Sequence, residues 1–140
     1  MITLKRSAAS KAAELAGLRA FAVASIAAAT DEVRRRYITS IAGQEMVYWE
    51  KEREAAAYLA ADPEPADLSA FPFLDAEAAA LGLDVYQLAQ IVLFKAAEWR
   101  EVGPRIEALR VGFGDAAGKA QTAAELDEVL ADFRQAIWEL

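Results

Sequence analysis

Residues 8–29 read AASKAAELAGLRAFAVASIAAA, and alanine fills half of these 22 positions. Alanine loses no side-chain entropy in a helix, so this stretch is a strong helix former. Outward from it, no proline occurs between Ile2 and Asp62, and only two glycines do, Gly17 and Gly43. One continuous helix over that whole span is therefore allowed, and at 1.5 Å per residue it is roughly 85–90 Å long. Gly43, which costs about 1 kcal/mol relative to alanine, marks either a close crossing or a break in it. The expected fold is all-α: a long N-terminal helix followed by an antiparallel helical bundle.

A face runs along this predicted helix through Leu15, Ala22, Ile26, Ala29, Val33, Tyr37, Tyr48, Ala55 and Leu59, at spacings of three, four or their sums. Within it Leu15, Ile26, Tyr37, Tyr48 and Leu59 recur every eleven residues, a period closer to a straight or slightly right-handed bundle than to a heptad coiled coil. Small side chains let helices approach closely but give a lone helix little cohesion. Residues 1–36 are thus expected to form an alanine-rich oligomerisation segment, with Leu15, Leu18, Ala22, Ile26, Ala29 and Val33 as its interface. Residues 37–140 are expected to form the bundle.

Charge divides along the chain. Residues 1–36 carry seven basic and three acidic side chains, a balance of +4. From Tyr37 onward eight basic residues face nineteen acidic ones, a balance of −11, and the total is −7. Such a division can steer association with an acidic partner, although a solvated surface is the simpler reading. The chain has no cysteine and no histidine. Thiolate chemistry, disulfides, the commonest general base and the commonest metal ligand are absent together. No catalytic residue, metal ligand or cofactor site is assigned, no small-molecule substrate is expected, and the chain is read as a non-enzyme.

Ala20 to Thr30 is an uncharged run that follows several basic residues, as a signal peptide would, but Glu14 and Arg19 interrupt its approach. It is also far shorter than the roughly 20 apolar residues that span a bilayer. A cytoplasm-made protein without a membrane partner is expected. Arg34, Arg35 and Arg36 occupy successive positions that point around a helix, and with an acidic total no nucleic-acid partner is expected.

Asp62-Pro63-Glu64-Pro65 ends the first helix. In the following loop, Phe71-Pro72-Phe73-Leu74 is suited to plug onto the bundle, and Asp75 to Leu81 reads as a short helix closed by Gly82. Asp84 and Gln87 open the next helix, whose stripe through Val85, Leu88, Val92, Ala96, Trp99, Val102, Ile106, Leu109 and Phe113 keeps its phase across Gly103-Pro104. That continuity favours one kinked helix over two. Thr122 and Glu125 form a capping box for a last helix carrying Leu126, Val129, Leu130, Phe133 and Ile137.

The run Arg36-Tyr37-Ile38-Thr39, then Gly43-Gln44-Glu45, Tyr48, Lys51, Glu54-Ala55 and Tyr58 resembles a pattern in short helical proteins encoded in tail modules of bacteriophages and prophages. Phe71-Pro72, Leu74, Ala76-Glu77, Gly82, Trp99, Ile106-Glu107, Arg110, Thr122 and Glu125 follow in the same order. The resemblance covers Arg36 to about Glu128 and leaves the alanine-rich stretch outside it. It implies a virion protein of the tail, at the tail tip, baseplate or fibre attachment, made in the host cytoplasm and associated with copies of itself and other tail proteins. An assembly chaperone for a tail fibre, absent from the mature particle, is the alternative. The resemblance brings no catalytic residues with it.

Overall fold

The computed structural model describes residues 5–140, and among these it is all-helical, with five helices and no strand. They are α1 (Ala8–Arg34), α2 (Gln44–Ala60), α3 (Pro72–Leu81), α4 (Val85–Lys119) and α5 (Ala123–Trp138).

The N-terminal helix does not run unbroken to Asp62. Ser7 caps the start of α1, its hydroxyl accepting from the Ser10 N–H at 3.1 Å, and the helix ends at Arg34. The break falls where β-branched Ile38, Thr39 and Ile41 lose side-chain freedom in a helix and Ser40 competes for backbone hydrogen bonds. Gly43 then takes φ +83°, a left-handed conformation that glycine adopts without steric penalty, and α2 begins. The eleven-residue recurrence therefore does not mark one continuous face, because Tyr37, Tyr48 and Leu59 lie beyond the break.

The chain divides into two compact units. One holds residues 5–36 together with Val102–Leu140, and the other is Tyr37–Glu101. Val102–Leu140 thus groups with the alanine-rich segment and not with residues 37–101. α4 contributes to both units and stays helical through Pro104, as its uninterrupted stripe predicts.

In the first unit, α1 and the second part of α4 enclose a core with α5. Ala22, Ile26, Ala117, Ala120, Leu126 and Phe133 are buried in it, and the Phe113 and Phe133 rings meet edge to face at 5.5 Å. The large side chains come mainly from α4 and α5, so the alanines of α1 sit close against them. Arg19 fixes the start of this contact by donating its Nε–H to the Ala120 carbonyl at 2.6 Å, and Arg34 reaches Glu107 at 3.4 Å. These contacts set the second part of α4 antiparallel to α1. The Thr122 hydroxyl accepts from the Glu125 N–H at 3.1 Å, the N-cap half of the expected capping box, while the Glu125 carboxylate accepts from the N–H of Gln121, one residue before the cap, at 2.6 Å.

In the second unit, Ala55, Tyr58, Phe71, Leu74, Ala78, Val85, Leu88 and Ala89 form the core. α3 starts at Pro72, three residues before the expected Asp75, because proline is favoured in the first helical turn where its missing N–H costs nothing. Its inward residues are therefore Leu74 and Ala78, with the N-cap Phe71 buried one turn before Leu74, and Phe73 is 39% exposed. The first turn of α3 has no side-chain cap of its own. Glu54 of α2 supplies one: its carboxylate, only 1% exposed, accepts from the Phe73 and Leu74 N–H groups at 3.0 Å each. A buried anion at a helix N-terminus is favoured by the unpaired N–H groups and the helix dipole. Gly82, at φ +67°, closes α3, with the Leu83 N–H donating to the Ala78 carbonyl at 2.9 Å.

Candidate functional site

The six residues expected to form an interface, Leu15, Leu18, Ala22, Ile26, Ala29 and Val33, do not share one environment. Ala22, Ile26 and Val33 are buried within the first unit, Leu15 and Ala29 are half-buried, and Leu18 is exposed. The stripe that periodicity identified as apolar is, for the most part, the face that α1 turns to α4 and α5. Recurrence at helical spacing marks a buried face without telling whether the cover is another molecule or a segment of the same chain distant in sequence.

The exposed apolar surface of α1 lies on a neighbouring face. Leu18 and Phe21 stand out from it, Phe21 with 72% of its surface accessible. Between Arg19 and Asp31, the exposed positions Ala20, Phe21, Val23, Ala24, Ala27 and Ala28 are all apolar. The two hydroxyls of this segment turn back onto the helix. Ser25 donates to the Phe21 carbonyl at 2.8 Å, and Thr30 bonds to the Ile26 and Ala27 carbonyls at 3.0 and 2.9 Å. Their hydroxyl protons are thus directed into the helix, leaving about three turns of surface with no charge and little polarity. By length and composition α1 could cross a membrane. Its charge-free run, however, is the eleven residues from Ala20 to Thr30, about 16 Å of helix against a hydrocarbon thickness of about 30 Å.

A cleft of about 370 Å³ opens where the C-terminal ends of α1 and α5 meet, lined by Ala29, Glu32, Val33, Arg36, Arg134, Ile137 and Trp138. Trp138 is 89% exposed there. Arg36 follows the end of α1, where a cation complements the partial negative charge of the unpaired carbonyls, and Arg134 folds back along α5 to donate to the Leu130 carbonyl at 3.1 Å.

Groups with shifted protonation all have a visible partner. The Tyr58 phenol is pushed up to about 12, first by donating to Glu64 and then by burial. Hydrogen bonds from the Ser69 N–H and hydroxyl hold the Asp67 carboxyl below its usual range, and Arg110 does the same for Glu107. Among the described residues no group of three acidic side chains is gathered to hold a metal ion. Compared with protein-family models, with curated proteins and with solved structures, the chain matches none. The outer face of α1, with exposed Leu18 and Phe21, is a candidate interaction surface.

Proposed function

We propose that this chain is a non-enzymatic structural or adaptor protein of a bacteriophage tail, at the tail tip, baseplate or fibre attachment, and that it associates with copies of itself through the outer face of α1. The tail assignment rests on the ordered residues from Arg36 to about Glu128 described above. The association rests on one observation: Phe21 stays exposed, with Leu18 one turn before it, and the exposed positions from Ala20 to Ala28 carry no charge, although α1 already has a core of its own. An exposed aromatic on an uncharged surface favours burial against another protein, and each aliphatic or aromatic side chain withdrawn from water contributes about 1.5–3 kcal/mol before ordering costs.

The partners are further copies and other tail proteins, without nucleic acid, small-molecule substrate or membrane. The short charge-free run of α1 supports leaving the membrane out. Mass spectrometry of purified virions tests the assignment, which requires the protein at a fixed stoichiometry in the particle. Its presence only in infected cells would replace this reading with that of an assembly chaperone. Substitution to test self-association belongs at Phe21, since aspartate at the buried Ile26 would disrupt the core.

A further inference from the structure

Resting on the self-association reading, we propose that two copies pair through α1 in antiparallel orientation, along a seam adjacent to the core-facing stripe. Starting at Lys11, the spacing three, four, three, four, three, four leads through Glu14, Leu18, Phe21, Ser25 and Ala28 to Glu32. These are heptad positions on one side of the helix, and all are exposed except half-buried Ser25. Apolar Leu18 and Phe21 sit near its middle, small Ser25 and Ala28 follow, and charges close both ends. The core stripe through Ala22, Ile26 and Val33 lies beside it, so the seam can be covered without opening the unit.

Charge selects the occupant and its direction. Lys11 and Glu32 make no ion pair among the described residues. They are equidistant from the point between Phe21 and Ala22, as are Leu18 and Ser25. A twofold axis there brings each Lys11 opposite Glu32 of the partner subunit and each Leu18 opposite Ser25 of the partner subunit. The two Phe21 rings meet beside the axis. Parallel pairing would set lysine against lysine and glutamate against glutamate, which disfavours it. The seam is about 32 Å long and about 10 Å wide, roughly 300 Å² per copy, against about 800 Å² per partner in a standard interface. The pairing is accordingly weak and concentration-dependent.

Sedimentation equilibrium of the full chain over a wide concentration range tests this, with circular dichroism to check that each variant is folded. Wild type is expected to dimerise and Phe21→Asp to remain monomeric. Lys11→Glu and Glu32→Lys, which set like charges opposite each other in the antiparallel pair, are each expected to weaken the dimer roughly tenfold. The double variant K11E/E32K restores the opposition and should return to near wild-type affinity. A dimer indifferent to the charge reversals, or one in which the double variant is no better than the single ones, would overturn the antiparallel seam and leave self-association standing. A monomer at every concentration would overturn both, and the virion measurement would still decide the tail assignment separately. Binding of monomeric protein to neutral phosphatidylcholine vesicles, lost in Phe21→Asp, would give the face to a lipid surface and overturn the proposal.

Discussion

Removing the Glu54 carboxylate should undock α3 from α2, and the size of the effect follows from the contacts. Glu54 accepts two hydrogen bonds at 3.0 Å, from the N–H groups of Phe73 and Leu74, and α3 has no cap of its own. A hydrogen bond to a charged group contributes about 1.5–3 kcal/mol, which sets a gross loss of about 3–6 kcal/mol. Against this stands the cost of keeping a carboxylate dry, with Oε1 lacking any partner in the structure. The net destabilisation expected for Glu54→Ala is therefore about 2–4 kcal/mol, and that for Glu54→Gln, which keeps an acceptor but loses the charge, about 1–2 kcal/mol. Urea unfolding measures the first, and amide hydrogen exchange localises it. A change of 3 kcal/mol corresponds to roughly a hundredfold loss of protection, expected in α3 and the adjoining part of α2. A Glu54→Ala variant within 0.5 kcal/mol of wild type, with α3 amides equally protected, would refute this account of capping between helices.

Other outcomes follow from the same packing. Ile26→Ala, at a position 1% exposed, should destabilise the first unit by about 2–5 kcal/mol in urea unfolding, as a buried aliphatic truncation does. The glycines at 17 and 43 should respond with opposite signs. A Cβ meets open space at both, but Gly43 has φ +83° whereas Gly17 lies in α1. Gly17→Ala is expected to raise stability by up to about 1 kcal/mol and Gly43→Ala to lower it by about 1–2 kcal/mol, read from thermal or urea unfolding. Tyr58 makes stability sensitive to alkali. Its phenol ionises near 12 in the fold and near 10 when unfolded, so the neutral form favours the native state. That contribution is complete below about pH 10 and is lost as pH rises towards 12. Unfolding across this window, with tyrosinate absorbance as the second readout, should show a loss of stability that Tyr58→Phe does not show.

What the sequence made legible was local. The N-cap at Thr122, the closing glycine at 82 and the passage of α4 through Pro104 are all written in residues a few positions apart, and each forms as read. The break after Arg34 is only partly legible. Gly43 signals it, but no proline marks where α1 ends, and the poor helix formers Ile38, Thr39, Ser40 and Ile41 are each tolerable singly in a helix. The partner of α1 was out of reach. Ile26 and Ala22 pack with Leu126 and Phe133 about a hundred residues away, and an apolar stripe reads the same whether another chain or the same chain covers it. The exposed face through Leu18 and Phe21 is faint in the sequence for a related reason. With Lys11 and Glu32 at its ends and Ser25 and Ala28 within it, it is less apolar than the core stripe beside it, and only the burial of that stripe brings it forward.

The central claim is that the outer face of α1 is an association surface, and the solution mass tests it most directly. Light scattering during gel filtration, on wild type and Phe21→Asp at several loading concentrations, should give a wild-type mass that climbs from 15.2 kDa towards twice that value while the variant stays at 15.2 kDa. A wild-type mass of 15.2 kDa at every concentration, or a variant that climbs alongside it, would contradict the claim.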